Sequence, residues 1–564
     1  MSGKYLTYWS IAAVTAVSVA LTIHVGSIEG INYDGWWHIF VARQEGWARF
    51  LAEIRANPHP PLYHLLLKAS SSLGSERLAY RLVGIAATAA SVLLVAGICQ
   101  QLFRSRAMVV LATLTFGTSI TTVTLANEVR SYALAGTFAL SAVLGLLRML
   151  SEPRRSGRTS ALLAAALVLG ILSHYGVLLL LPLFAIVPAL LAARRPLWPP
   201  RLLLSLAPAA AVALVALGLH TSEFNRPMFY MPGHYYSADE TLWAYLSRGA
   251  RSELDLLTPL GLDSLSPAVG GLVLLGLAGG VLALLARLRT RGESAPAALL
   301  LLFVGLVVET FLASLIGWYP FGGLLRHQYF VFLLGFLACF LVLDQLIAAI
   351  PSGRVRLASL AALWIVVPGQ ALARWQAHEI DRVDRPAEQV RQALRTLPGH
   401  APILVRRTSL INLFAHHHRS RWRFVGRVPN SSIEEWRIRT PMGEIVLYRR
   451  LGGWLLLLDD PETYRDVQTV LDATSRAGGT REPAAIATIE VRHGAVWNRS
   501  GWKDRRQMLE TIHGLARQHE LTITNLQISP EHSVARFRLR GSPQRDRSSP
   551  SPSPTTQAEE TSQR

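Results

Sequence analysis

Long apolar blocks alternate with short polar segments through the first two thirds of the chain. A helix of roughly 20 apolar residues spans the hydrocarbon core of a bilayer, so each block predicts a transmembrane helix. The predicted spans, about eleven in number, cover 8–28, 79–103, 107–125, 131–150, 160–173, 175–193, 202–220, 267–287, 297–317, 328–348 and 357–375. The fifth is short, and a merger with the sixth is the alternative. The pattern predicts a polytopic α-helical membrane protein over residues 1–375.

Arginine clusters follow every second predicted span, at 104–106, 154–158, 194–201, 287–291 and 354–356. Cytoplasmic loops carry an excess of Lys and Arg, so this alternation predicts a cytoplasmic N-terminus. A long loop at 29–76 and several short turns then face outward. We expect an integral protein of the bacterial inner (plasma) membrane whose C-terminal region is periplasmic or extracellular.

Composition agrees with a membrane location. Charged residues make up 16% of the 564 residues, below the roughly 25% usual in soluble domains. The formal net charge is +19, which in a soluble protein would indicate a nucleic-acid partner. Here much of the excess lies in the short loops, where orientation signals explain it. We therefore expect membrane lipids as partners and no nucleic acid.

The pattern changes after residue 375. Amphipathic segments at 385–397 and 504–519 predict helices, and strand-like segments lie at 401–407, 443–450, 453–460, 521–529 and 533–541. The region 376–541 is therefore predicted to be an extracytoplasmic α/β domain. The tail at 542–564 is rich in Ser, Pro, Thr and Gln, a composition typical of disorder.

The outer loop at 29–76 carries the first candidate chemistry. Asp34 and His38 are four residues apart, so on a helix they would share a face. The segment 36–55 has the amphipathic rhythm of a helix lying in the membrane interface, to which Trp36, Phe40, Trp47 and Phe50 are suited. The proline-rich stretch at 58–61 forbids helix and predicts an extended turn. That turn would hold His59 rigidly near the membrane surface.

Other polar residues lie at the outer ends of later spans. Glu128 and Arg130 occupy the second outer loop, where an ion pair closing two helix ends is the alternative to a functional role. His174 lies at the next outer turn. Arg326 and Tyr329 begin the tenth predicted span, and an arginine there fits either an anionic ligand or a snorkelling side chain.

Taken together, these segments resemble the family-39-type glycosyltransferases of the GT-C superfamily, which include the protein O-mannosyltransferases and the lipid A aminoarabinose transferases. The resemblance covers roughly residues 5–375 and rests on the order of Asp34, "HPPLYHLLLK", "SER…YRL", "NEVRSYAL", "SHYGVLLLL" and "RHQYFVFLLG". It implies the GT-C fold. It also implies transfer of a sugar from a polyprenyl-phosphate donor to an acceptor hydroxyl on a glycan, lipid or protein, with inversion, at the outer face.

The resemblance also implies roles for the polar residues. Asp34 matches the catalytic acid of the first loop and would be the general base. Arg130 and Arg326 would bind the donor phosphate, because a guanidinium matches phosphate geometry. His59 falls where the aminoarabinose transferases often carry a phosphate-binding lysine. The supporting residues would be His38, Glu128, His174 and Tyr329.

One departure from the family bears on cofactors. Many members carry Asp-Glu in the first loop, whereas this chain has Asp34-Gly35. No cofactor is predicted firmly. The one candidate is a divalent metal ion, which Asp34, His59 and Glu128 would hold. Two other function classes are weighed: a transporter or flippase of a polyprenyl-linked glycan, and a non-catalytic scaffold. The distinctive polar residues lie at the outer ends of spans rather than at mid-membrane, which favours the transferase.

Overall fold

In the computed structural model, the described residues are 3–44, 46–56, 59–74, 77–151, 156–192, 199–224, 235–236, 240–256, 294–322, 326–384 and six strands beyond residue 421. The chain divides into two compact units. One contains the helices and the candidate site, and the other contains the strands.

The described helices, numbered along the chain, are α1 (Gly3–Ile28), α2 (Tyr33–Ala42), α3 (Trp47–Ala56), α4 (Pro61–Ser71), α5 (Arg77–Leu102), α6 (Arg106–Thr118), α7 (Ile120–Asn127), α8 (Tyr132–Ser151), α9 (Ser156–Ser173), α10 (Leu180–Ala192), α11 (Pro199–Phe224), α12 (Leu242–Leu256), α13 (Ser294–Leu315), α14 (Tyr329–Ala349) and α15 (Gly353–Ala377). A 3-10 helix at Tyr175–Leu179 precedes α10. In this part of the chain, α1, α5, α8, α13, α14 and α15 are long and apolar enough to cross a bilayer. The protein is therefore an integral membrane protein, and these six match predicted spans.

The predicted span at 107–125 is broken in the structure. Helices α6 and α7 meet at Ser119 with a bend of 43° and together are long enough to cross. Ser119 has extended backbone (φ −65°, ψ 141°), and its hydroxyl accepts a hydrogen bond from Thr122 N at 3.2 Å. A serine that caps a new helix in this way interrupts the one before it. The predicted span therefore corresponds to a bent pair of helices rather than to one continuous helix.

The count of eleven spans stays a prediction. The predicted spans at 160–173, 175–193 and 202–220 correspond to shorter apolar helices. The predicted span at 267–287 lies outside the described residues.

The described residues of the loop at 29–76, which is predicted to face outward, contain three short helices. The interfacial helix expected across 36–55 is in fact two, because the chain turns between α2 and α3 at Gly46, whose φ is +76°, a conformation that favours glycine. Trp36, Phe40 and Phe50 are buried, whereas Trp47 is exposed. As predicted, Pro60 is extended (ψ 156°), and α4 begins at the next residue, where proline is well tolerated.

Small residues let the helices pack closely, as is usual in membrane bundles. A Cβ on Gly84 of α5 would collide with the backbone carbonyl of Ala126 in α7. A Cβ on Gly136 of α8 would collide with the ring of Tyr329 in α14. These contacts bring the ends of α5, α7, α8 and α14 together at the end of the bundle that carries the outer loop.

The opposite end of the bundle is tied by a carboxylate. Asp344, near the end of α14, accepts hydrogen bonds from Arg104 N at 2.8 Å and Ser105 N at 3.0 Å, in the turn between α5 and α6. Arg104 belongs to the first arginine-rich loop. The side of the membrane that this loop faces stays a prediction.

The second unit contains two antiparallel three-stranded sheets. The first has the order β1-β2-β3, and the second has the order β4-β6-β5. The strands are β1 (Trp422–Arg427), β2 (Ile433–Thr440), β3 (Gly443–Arg450), β4 (Thr488–Arg492), β5 (Leu521–Ile528) and β6 (His532–Leu539). Three match predicted strands (β3, β5 and β6), and the other three were not predicted. The remaining predictions for this region lie outside the described residues: the strands at 401–407 and 453–460, the helices at 385–397 and 504–519, and the tail at 542–564.

The close approach at Gly84 gives a test of the packing. Gly84→Ala should destabilise the protein by about 1–3 kcal/mol, because the new methyl overpacks the α5–α7 contact. Gly97→Ala on the same helix is the matched control, since its Cβ would meet only a side-chain methyl, at 3.5 Å. Thermal unfolding in detergent should show a lower Tm for the first variant alone. Equal Tm values for the two variants would contradict this packing.

Candidate active site

Asp34 lies in the first turn of α2. The helix begins there because Asn32 has extended backbone and its side-chain oxygen accepts a hydrogen bond from Gly35 N at 2.7 Å. A carboxylate in a first helical turn is stabilised by the positive end of the helix dipole. The side chain of Asp34 is 38% exposed, so it is accessible while its backbone is fixed.

Gly35, where the resembled family often carries a second carboxylate, is closely packed. A Cβ at this position would lie 2.8 Å from Ile31 Cγ2, 3.2 Å from Asn32 Oδ1 and 3.3 Å from Val129 Cβ. The second outer loop thus packs directly on the backbone of the first. The Asp-Glu pair common in the resembled family does not fit this packing without a shift.

Two arginines from distant parts of the chain bind Asp34. Arg130 Nη2 lies 2.6 Å from Asp34 Oδ2, and Arg326 Nη1 lies 3.5 Å from the same oxygen. The side chain of Arg130 is 9% exposed and that of Arg326 is 20% exposed. The structure therefore brings together three residues that the sequence assigned to the base and to the donor phosphate.

Part of each guanidinium is unused. Arg130 Nε and Nη1 and Arg326 Nε are buried, and none has a hydrogen-bond partner within the described part of the chain. Buried N–H groups without partners are costly, and most native examples have a functional reason or a missing partner. Both guanidinium groups contact the same carboxylate oxygen, so each keeps N–H groups that a further acceptor could bind. An anion is the ligand that this arrangement suits.

Glu128 does not pair with Arg130. The ion pair weighed from the sequence was wrong: Arg130 binds Asp34 instead, and Glu128 Oε2 is buried without a hydrogen-bond partner among the described residues. Burial raises the pKa of Glu128 above its usual value, although Arg130 and Arg326 act in the opposite direction. A carboxyl group in this setting is more easily protonated than one in water.

Arg81 was not recognised as part of the site. It is 1% exposed and donates Nε to the carbonyl of Asn127 (2.9 Å), Nη1 to that of Gly26 (2.8 Å), and Nη2 to those of Glu29 (3.2 Å) and Gly30 (3.0 Å). It therefore joins the ends of α1 and α7. The available signal was an arginine one turn inside an apolar helix, in the "YRL" motif.

Four histidines form a cluster beside the charged residues. His38 and His59, both predicted site residues, have ring centroids 4.9 Å apart, and His59 lies 6.3 Å from the third, His174. The fourth, His64, was missed: its Nε2 lies 2.9 Å from His38 Nδ1. His64 follows His59 by five residues on α4, so only the approach of α2 to α4 reveals the pair.

Hydrogen bonds assign the tautomers of two neutral rings. His64 Nδ1 lies 3.4 Å from the Pro60 carbonyl, which only accepts, so Nδ1 of His64 carries the proton. Its Nε2 then accepts from Nδ1–H of His38. His174 Nδ1 accepts from Gly176 N at 2.9 Å, so its proton is on Nε2. Burial lowers the pKa of His64 and of His174 to about 4, so both rings are neutral at pH 7.

His59 is also affected by burial. Its pKa is lowered well below the usual value by burial first, and then by His174 and Arg130. A neutral imidazole offers a hydrogen bond rather than the positive charge of the lysine found in the resembled family. Its role at a phosphate stays a prediction.

Tyr329, a predicted supporting residue, packs between helices. Tyr329 is buried at the start of α14, where its ring packs on Gly136 and stacks on Phe332 at 6.0 Å; these contacts belong to the helix interface. Among the described residues, no three His, Cys, Asp or Glu side chains are grouped to hold a metal ion. Asp34, His59 and Glu128 thus do not fit a metal site in this arrangement, and metal dependence stays a prediction.

Comparisons with known proteins agree with the fold. The family model of the dolichyl-phosphate-mannose-protein mannosyltransferases matches residues 58–219. The structure of ArnT from Cupriavidus metallidurans bound to undecaprenyl phosphate is similar over 94% of this chain and 98% of that one, with a TM-score of 0.51 and 12% identity. The chain therefore has the same fold as this ArnT structure, in agreement with the resemblance that the sequence motifs indicated.

A second solved structure is similar at a lower level. The archaeal oligosaccharyltransferase AglB from Archaeoglobus fulgidus, in complex with an inhibitory peptide and a dolichol-phosphate, covers 73% of this chain and 64% of its own, with a TM-score of 0.46 and 11% identity. No curated protein sequence matches the chain significantly.

The buried histidine gives a pH-dependent prediction. The pKa of His64 is about 4 in the folded protein and about 6.5 in an unfolded chain. Between these values the unfolded chain binds more protons, so stability is full above pH 6.5 and falls as the pH drops toward 4. At pH 5 the loss from His64 is about 2 kcal/mol. In Tm measurements at pH 7 and pH 5, His64→Gln should show a smaller drop than wild type; an unchanged drop would refute the assignment.

Proposed function

We propose that this protein is a polyprenyl-phosphate-sugar-dependent glycosyltransferase that acts at the outer face of the bacterial inner membrane. The observation that carries the proposal is the Asp34–Arg130–Arg326 cluster, in which one accessible carboxylate is bound by two arginines with unused N–H groups. A transferase of this class needs a base for the acceptor hydroxyl, positive charge for the departing phosphate, and contact with lipid.

In the proposed reaction, the acceptor hydroxyl oxygen attacks the anomeric carbon while Asp34 takes its proton. The bond between the anomeric carbon and the phosphate oxygen breaks, and its electron pair stays on that oxygen. Arg130 and Arg326 stabilise the resulting lipid phosphate, because the guanidinium fork matches phosphate oxygens. Attack from the side opposite the phosphate inverts the anomeric centre.

The neighbouring residues have supporting roles in this proposal. His59, as a neutral ring, donates a hydrogen bond to the phosphate, and Glu128 contacts substrate through its buried carboxyl group. Undecaprenyl phosphate in the ArnT structure supports a lipid-linked donor. We also propose that the N-terminus is cytoplasmic and that the strand-containing unit is extracytoplasmic. Transport of a polyprenyl-linked glycan is the competing function.

The experiment uses purified protein in proteoliposomes with a panel of radiolabelled polyprenyl-phosphate sugars and extracted envelope acceptors. Asp34→Asn should lower kcat about 100-fold or more, because general-base catalysis contributes on that order, and should leave donor KM nearly unchanged. Arg130→Lys should raise donor KM about tenfold, because an ammonium group lacks the bidentate fork. Glu240→Gln is the control: Glu240 pairs with Arg248 at 2.8 Å and should transfer sugar like wild type.

Two results would decide against the proposal. Asp34→Asn with wild-type kcat would exclude Asp34 as the base. Movement of the lipid-linked sugar across the vesicle membrane with no covalent transfer would favour the transporter.

A further inference from the structure

The segment 381–384, which follows α15, packs against the chain just before Asp34. Gly30 N donates a hydrogen bond to the Asp381 carbonyl at 2.7 Å, and Ile31 N donates one to Asp384 Oδ1 at 2.7 Å. A Cβ on Gly30 would lie 2.5 Å from the Val383 carbonyl oxygen, so the two backbones are in direct contact. Residues 381–384 therefore touch the turn that leads into α2.

Asp384 joins this turn to a third segment. Its Oδ2 forms an ion pair with Arg77 Nη2 at 2.7 Å, and the side chain of Asp384 is only 18% exposed. Arg77 is the first residue of α5, the helix that also carries Arg81. One carboxylate thus bridges the start of α5 and the backbone that precedes Asn32, the cap of α2.

The turn at 29–31 is held from two sides. Arg81 binds the carbonyls of Glu29 and Gly30, while the 381–384 segment binds the N–H groups of Gly30 and Ile31. Without Asp384, the Ile31 N–H loses its acceptor and Arg77 loses its partner. The start of α2, and with it Asp34, would then have fewer contacts to fix its position.

We propose that Asp384 is a positioning residue for the reaction: through Ile31 and Arg77 it holds the start of α2 so that Asp34 faces the acceptor hydroxyl. This inference rests on the proposed function. A misplacement of about 1 Å in a reacting group can cost about 100-fold in rate. On this proposal, residues 381–384 influence the site although they lie more than 340 positions from Asp34 in sequence.

The test compares four variants in the proteoliposome transfer assay. Asp384→Ala should lower kcat about tenfold or more with donor KM within about twofold of wild type, because Arg130 and Arg326 lie on other segments. Asp384→Asn should be intermediate, since its amide oxygen still accepts from Ile31 N. Arg77→Ala should be milder than Asp384→Ala, because the bond to Ile31 remains. Glu379→Gln, an exposed acid five residues away, should match wild type.

A double-mutant cycle separates positioning from a general loss of structure. If Asp384 acts through Asp34, adding Asp384→Ala to Asp34→Asn should change the residual rate less than twofold. A further tenfold drop in that background would overturn the inference. Tm and membrane yield show whether Asp384→Ala folds. If it does not, the same cycle with Asp34→Asn is measured for Asp384→Asn and for Arg77→Ala.

The two proposals fail differently. Wild-type kcat in Asp384→Ala, beside an inactive Asp34→Asn, overturns the positioning inference alone. Wild-type kcat in Asp34→Asn overturns the role of Asp34 and, with it, the role of Asp384.

Discussion

A buried guanidinium ties together the two chain segments that carry Asp34 and Arg130. Arg81 binds the carbonyls of Gly26, Glu29 and Gly30 on one side and that of Asn127 on the other. Carbonyls at the ends of helices carry partial negative charge and lack partners within the helix, so a buried cation satisfies them well. The Gly30 carbonyl lies four residues before Asp34, and the Asn127 carbonyl lies three residues before Arg130. The ion pair at the site depends on this arrangement.

The unused N–H groups of two arginines make the site suitable for an anion. Asp34 neutralises one guanidinium, which makes two arginines tolerable at the edge of an apolar bundle. The N–H groups that Asp34 leaves unused on Arg130 and Arg326 are then available to a phosphate. On the proposed function, the same arginines hold the carboxylate before the donor binds and stabilise the leaving group afterwards. The neutral histidines beside them add hydrogen bonds without adding charge.

The sequence was informative where one physical signal dominates. Apolar length predicted six of the spans, and the outward alternation of loops predicted that Asp34, Arg130 and Arg326 would lie at one end. The sequence was not informative where tertiary packing determines the local structure. Nothing local to Ser119 distinguishes a bend from a regular helix, and the tight packing at Gly35 arises only because Ile31 and Val129 lie against it. The contacts of Arg81, His64 and Asp384 join residues far apart in sequence, so spacing alone does not reveal them.

The most direct test of the central claim is comparative mass spectrometry of envelope glycans, glycolipids and glycoproteins. Three strains are compared: one with the intact gene, one with a deletion, and one with Asp34→Asn. The account predicts that one sugar disappears equally from the deletion and the point mutant while its polyprenyl-phosphate donor persists. A normal glycan profile in the point mutant, with a lipid-linked precursor accumulating only in the deletion, would contradict it and favour transport.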